Sequence, residues 1–266
     1  MASNQIIFFD KNKADLDQPD CVATASEANT YANLARNRSN DTMWMTTGSV
    51  DANNTTYEMD MVDMFAIDSI ILIGHNFKSF TLQWWDGAAY QDFSPAINPT
   101  NNAATTTSHF FSVENTTKVK LTILGTMVPD SDKQLAQFII TKKIGQFNAW
   151  PTIKAPAHDL NLQITKMLSG KSNISQNLIG FRCELDVVTL SDSNDLAIID
   201  YLYFSGNSFL AWLCGGNEDQ FKTPARGFRL KDMYLMKCVN IWTPEPYQGF
   251  YGIGYKTAIQ LTEVIT

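Results

Sequence analysis

Charge is scarce in this chain. Of its 266 residues, 18% are Asp, Glu, Lys or Arg, where an average globular protein has about a quarter. Uncharged polar residues fill the gap, with 25 Thr and 21 Asn. That composition suits strands, turns and broad polar contacts better than long solvated helices. Positive charge is in shortest supply. The net charge is −7, and residues 1–145 hold 16 acidic and 10 basic residues, against 11 and 10 in residues 146–266. Binding to a phosphate backbone needs a basic footprint, so no sequence-specific nucleic-acid binding is expected. Cysteine is sparse too. Cys21, Cys183, Cys214 and Cys238 lie far apart with no CxxC pair, which spells no zinc site and reads as buried free thiols. No apolar run reaches the ~20 residues of a membrane helix. The start, MASNQIIFFDKNK, lacks the basic and apolar regions of a secretory signal. The expectation is a soluble protein made in a reducing cytoplasm.

The residues that make catalysts are also missing or isolated. There are three histidines, His75, His109 and His158, and none has a partner at i+2 or i+4 for a metal. Neither GxSxG nor SxxK occurs, so no serine nucleophile is signposted. Ser169-Gly170-Lys171-Ser172 echoes the end of a phosphate-binding loop, but it lacks the first glycine and lies between strands. Glu58, Asp60 and Asp63 fall on or after one strand. Their alternation is what a solvated sheet face produces, although a glycosidase would also use paired carboxylates. Asp15, Asp17 and Asp20, or Asp130 and Asp132, could hold calcium with backbone carbonyls, but no diagnostic spacing supports it. The chain is therefore read as a non-enzyme with no cofactor and no metal.

What the sequence does contain is strand pattern. Residues 26–38 form a short predicted helix, capped by Ser26, with Ala28, Tyr31, Leu34 and Ala35 on one face. Strands follow at Thr56 to Met61, Asp68 to Ile73, Phe80 to Trp85, Phe110-Phe111, Val119 to Leu124 and Gln137 to Thr141. Such short strands between turn-rich connections predict a β-sandwich or jelly roll. Residues 143–160 carry two prolines and little periodicity, which places the domain boundary there: domains 1–145 and 146–266. In the second domain, Leu160 to Thr165 and Ile179 to Val187 alternate strictly and make a long hairpin. One helix follows, capped by Asp192 or Ser193 and stopped at Ser205-Gly206-Asn207. Strands then come at Phe209 to Cys214, at Phe228 to Trp242 with a bulge near Lys231-Asp232, and at Tyr251 to Leu261. The fold class is mainly β: a jelly-roll sandwich, then a second β-sandwich with a long hairpin and one α-helix.

Two features point to contacts. Trp44, Trp84, Trp85 and Tyr90 cluster in the first domain. Trp84 and Trp85 are adjacent on one strand and must face opposite sides, so one belongs to the core and the other to the outer face or a loop. An exposed aromatic among Asn and Thr suits a sugar ring or a protein interface, while packing accounts for the rest. The hairpin is the second feature. Its tip and flanks, Lys166, Ser169, Gly170, Lys171 and Asn173, are the candidates for an inter-subunit contact through an open sheet edge.

The order Asn33-Leu34 through Trp44, Tyr57-Glu58-Met59-Asp60-Met61 and Ile70-Ile71-Leu72-Ile73-Gly74-His75-Asn76 resembles discoidin-like (F5/8 type C-like) modules of bacteriophage tail proteins. Phe80 to Gly87, Val119 to Thr126 and Phe138-Ile139-Ile140 continue it over residues 20–145. The second half is similar in element order to phage tail-tube and distal tail proteins. The resemblance implies a virion component of the tail or baseplate, made in the host cytoplasm. It implies a homo-oligomeric ring, sixfold or threefold, joined to other tail or baseplate proteins. Discoidin relatives also bind glycans, so a carbohydrate-binding module that adheres to a cell surface is the alternative.

Overall fold

The computed structural model describes residues 6–38, 42–147, 152–166, 172–189, 193–206, 208–212, 233–241, 243–249 and 252–264. The fold is mainly β and falls into two compact units, residues 11–143 and residues 1–10 with 144–266. Strand β1 (Ile7–Phe9) opens the chain and belongs to the second unit.

The first unit contains β2 (Val22–Ala25), a 3-10 helix (Asn29–Arg36), β3 (Trp44–Met45), β4 (Thr55–Ile73), β5 (Phe77–Trp85), β6 (Tyr90–Ile97), β7 (Thr106–Thr126), β8 (Gln134–Leu135) and β9 (Gln137–Thr141). Its main sheet runs β2-β4-β7-β5-β6, with β9 beside the second half of β4; β3 and β8 pair separately. Four of the short strands read from the sequence are halves of two long ones. Thr56 to Met61 and Asp68 to Ile73 are both β4, and Phe110-Phe111 and Val119 to Leu124 are both β7. A bulge breaks each pattern in the middle. Asp60 faces Lys118 and Phe65 faces Thr116, so residues 61–64 of β4 stand opposite Thr117 alone. Val62 takes φ 62° there, a conformation that costs a β-branched residue on the order of 1–3 kcal/mol.

Alternation fills the core. Tyr57, Met59 and Met61 of β4, Phe80 and Leu82 of β5, and Val119, Leu121 and Ile123 of β7 all point inward and are buried. Gly74 admits a close approach: at φ 66°, a side chain on it would meet the Ala136 Cβ at 2.7 Å. The expected helix at residues 26–38 is a 3-10 helix entered through Ala28 in the left-handed region, with no side-chain cap. Ser26 is occupied elsewhere: its hydroxyl accepts the Thr56 N–H at 3.0 Å.

Two buried cations close the loops of this unit. Arg36, 4% exposed, donates to the carbonyls of Ala14 (2.7 Å), Cys21 (2.6 Å), Asp15 (2.9 Å) and Gln18 (3.1 Å), and to Asn33 Oδ1 (2.9 Å). Lys133, with no exposure, donates to Ser49 Oγ at 2.6 Å and to the carbonyls of Val50 and Asn53 at 3.1 Å each. Every donor of its ammonium is used, as burial of a charge demands.

The second unit adds β10 (Lys143–Gln146), β11 (Thr152–Lys166), β12 (Ser172–Thr189), α1 (Ser193–Phe204), β13 (Phe209–Trp212), β14 (Met233–Cys238), β15 (Glu245–Gly249) and β16 (Gly252–Glu263). One sheet runs β10-β1-β13-β14-β16-β12-β11, with β15 also on β16. Here the sequence-based boundary needs correction. The N-terminal strand lies between β10 and β13, because Ile7, Phe8 and Phe9 are apolar on both faces and need an interior position in a sheet. The Phe8 ring meets Phe147 at 5.6 Å and Phe209 at 5.8 Å. The stretch 143–160, read as a linker, supplies two strands instead. Pro156 is tolerated because it falls in the register shift between Lys154 and Ala157, where no ladder N–H is required. Ile198, Ile199 and Leu202 of α1 are buried in one core with Leu185, Val187, Met236, Ile259 and Leu261. Gly145 permits that packing, since a Cβ there would stand 2.8 Å from the Ile198 side chain. The bulge expected at Lys231-Asp232 lies outside the described residues.

Candidate functional site

The outer face of the first unit is built by strand register. Thr24 of β2 faces Glu58 of β4, Glu58 faces Lys120 of β7, Lys120 faces Gln83 of β5, and Gln83 faces Asp92 of β6. These residues therefore form one row across five strands, on the side opposite the core. In the next row Asp60 faces Lys118, and Trp85 faces Tyr90.

Trp85 and Tyr90 make the apolar part of this face. Both are half-buried, and their rings meet edge-on at 5.1 Å and 63°, a favoured aromatic geometry. Lys120 Nζ lies 3.9 Å from the Tyr90 ring centre, close enough for a cation–π contact. The Tyr90 hydroxyl is buried beside the Glu58 carboxylate. Burial and the neighbouring Glu58 carboxylate push its ionisation up.

The rest of the face is polar: Glu58 and Asp60 stand against Lys118 and Lys120, with Gln83 and Asp92 beyond them. Lys118 Nζ lies 2.5 Å from Asp60 Oδ2 and 4.0 Å from Glu58 Oε1, and its pKa is raised chiefly by the Asp60 bond. The other Asp60 oxygen accepts the Val62 N–H at 3.1 Å and so holds the bulge. Gln83 Nε2 donates to Asp92 Oδ1 at 3.0 Å.

Two residues that sequence reading passed over position the rings. Asp86 starts the turn between Trp85 and Tyr90. Its carboxylate accepts the N–H groups of Ala88 and Ala89 at 2.7 Å each and the Gln91 amide at 2.8 Å. Those backbone bonds lower its pKa. The signal was the Asp-Gly pair, a turn former whose side-chain role was not drawn out. Thr116 is buried, and its hydroxyl accepts the N–H of Trp85 (3.2 Å) and of Lys118 (3.1 Å). It stitches β5 to β7 beside the bulge.

Trp84 and Trp85 do face opposite sides: Trp84 packs against the core and Trp85 lies on the outer face. The sequence grouped Trp44 with them as a possible contact. Trp44 instead is fully buried, lies edge-on to Tyr57 at 5.2 Å and donates its indole N–H to the Glu27 carbonyl at 3.2 Å. It presents nothing to a ligand on this face. Trp84 contributes packing, and its indole N–H has no partner.

No protein-family model matches the chain, and no curated protein matches it. Several solved structures do. The family 32 carbohydrate-binding module of Clostridium perfringens NanJ, solved with galactose, is 14% identical, over 47% of this chain and 96% of its own, with a TM-score of 0.40. Chitosan-binding module 1 from the chitosanase/glucanase of Paenibacillus sp. IK-5 is 17% identical, over 48% and 97%, with a TM-score of 0.41. The GH29 fucosidase of Ruminococcus gnavus, solved with fucose, is 12% identical, over 50% of this chain and 27% of its own, with a TM-score of 0.41.

Asp15 and Asp17 both bind Arg38, and Asp132 and Asp130 accept the N–H groups of Ser49 and Asp51. Among the described residues no group of three or more His, Cys, Asp or Glu side chains could hold a metal. His75 is fully buried and stacks on Phe77 at 4.9 Å. Burial lowers the pKa of His75, and of His109 beside Phe80, to about 4. In the hairpin, Lys166 pairs with Ser172 and Thr165 with Asn173. Ser169, Gly170 and Lys171 lie outside the described residues.

Proposed function

We propose that residues 11–143 are a non-catalytic carbohydrate-binding module whose ligand lies on the outer face of the sheet at Trp85 and Tyr90. The observation that carries this is the half-exposed Trp85–Tyr90 pair, held by the Asp86 turn inside a row of polar side chains. A sugar ring has an apolar C–H face and a rim of hydroxyls. Trp85 offers the matching flat apolar surface, and Gln83, Asp92 and Lys120 offer acceptors and donors at its edge. Glu58 and Asp60 serve here to position the lysines and not to hold the sugar, since both neighbour Lys118 on the outer face of the sheet. The test is calorimetry on glycans first selected from an array. Trp85→Ala should weaken binding by about tenfold or more, as loss of an aromatic anchor does, while Trp44→Phe should change stability alone. Equal affinity in Trp85→Ala and the unaltered protein would end this reading.

One feature favours a second reading, a ring-forming structural subunit of a phage tail or baseplate, located in the virion. Among the described residues, β11 is the outermost strand of its sheet and runs for 15 residues. A long open edge is a template for pairing with another chain. Light scattering across protein concentration decides it: a ring of defined order supports this reading, and a monomer at about 100 µM removes it.

A further inference from the structure

We infer that the glycan taken by this face is uncharged, and that Asp60 is the residue that excludes anionic sugars; this rests on the carbohydrate reading above. The argument is one of charge placement. Glu58 and Asp60 stand beside Lys118 and Lys120 on adjacent strands, two negative charges against two positive. Asp60 takes Lys118 at 2.5 Å. Lys120 is drawn over the Tyr90 ring at 3.9 Å. Asp92, the next carboxylate in the row, accepts from Gln83 at 3.0 Å. An incoming carboxylate or sulfate that sought Lys118 would have to displace Asp60 from it, and one that sought Lys120 would have to draw it off the Tyr90 ring. It would do so on a unit with 15 acidic and 10 basic residues between positions 11 and 143, whose field repels anions. A protonated amino sugar is drawn by that field and repelled only at close range, by the ammonium groups of Lys118 and Lys120. A neutral pyranose disturbs none of these pairs and draws its hydrogen bonds from the lone pairs and donors they leave open.

Asp60 has two oxygens with two tasks. One cancels Lys118 and the other fixes the Val62 N–H at 3.1 Å. Asp60→Asn retains a carbonyl oxygen for Val62 and removes the charge that masks Lys118. The substitution thus separates specificity from local folding.

The experiment compares affinities of the full chain for cellotetraose and tetra-N-acetylchitotetraose (neutral), tetragalacturonate (anionic) and tetraglucosamine (cationic), at low and high NaCl. The unaltered protein should bind a neutral oligosaccharide with less than about a twofold change across the salt range, because surface charge effects are screened while stacking is not. In Asp60→Asn the ratio of anionic to neutral affinity should rise by about threefold, the worth of one partly exposed ion pair, and the gain should fall with salt. Adding Lys118→Met should abolish it. Salt-sensitive binding of tetragalacturonate or tetraglucosamine by the unaltered protein would overturn the inference while leaving the carbohydrate reading intact. So would an unchanged ratio in Asp60→Asn when its neutral binding persists. Failure of all four sugars to bind, with no glycan captured on the array, would remove both.

Discussion

In residues 11–143, Arg36 and Lys133 lie buried in nests of oxygen atoms, and each ties together loop segments distant in sequence. The described core of the second unit is closed differently, by Ile198, Ile199 and Leu202 of α1 among the aliphatic side chains of the sheet. The first unit adds directional bonds from two fixed donors to its apolar core, while the described core of the second is filled by helix and sheet side chains. The difference matters for function, because the first unit carries the proposed site. There the Asp86 turn holds Trp85 and Tyr90 in place before any ligand arrives, which spares the cost of ordering them on binding.

The sharpest way to break this comparison is a pair of conservative substitutions. Arg36→Lys should cost about 3 kcal/mol or more, because an ammonium has three donors where five acceptors are in place and leaves buried carbonyls unpaired. Leu202→Met should cost less than about 1.5 kcal/mol, because a flexible side chain of similar volume refills the space. Hydrogen exchange read by mass spectrometry reports each unit separately, and the Arg36→Lys loss should show first in the amides of residues 12–21. Equal, small effects of the two changes would mean that donor geometry does not set the stability of the first unit.

The contrast also explains what was legible from the sequence. Strand alternation is a property of neighbours in the chain, so the inward set Tyr57, Met59 and Met61 could be read, as could the opposite facing of Trp84 and Trp85. Gln137 to Thr141 appears as written. The nests could not be read. A single Arg or Lys in a polar stretch looks solvated, and only the fold brings residues 14, 15, 18 and 21 around Arg36. Likewise β1 reads as a start of the first domain, because its partner lies some 200 residues away. The outer face was half legible. Glu58 and Asp60 alternate in one strand and Lys118 and Lys120 in another, a charge pairing that meets the turn at Asp86 only through strand register, and the proposed site rests on that register.

A smaller effect than that of Arg36→Lys is expected with pH and again separates the units, because both described histidine side chains, His75 and His109, lie in the first. Each has its pKa lowered by burial to about 4. In the unfolded chain a histidine takes up its proton near pH 6.5, so between pH 6.5 and 4 the unfolded state binds more protons than the folded one. Stability of residues 11–143 is therefore fully present above pH 6.5 and declines as pH falls toward 4. For the fully buried His75 the decline is of the order of 2–3 kcal/mol. The imidazole accepts the Phe77 N–H through Nδ1 at 3.2 Å, with Nε2 3.1 Å from the Thr107 hydroxyl. Protonation would turn that acceptor into a donor facing another donor. Exchange rates of amides in β4 and β5 should rise through this window, with β14 and β16 showing the lesser change. His75→Gln should flatten the slope at the cost of lower stability at pH 7. A slope that survives the substitution unchanged would assign the pH response to groups other than this ring.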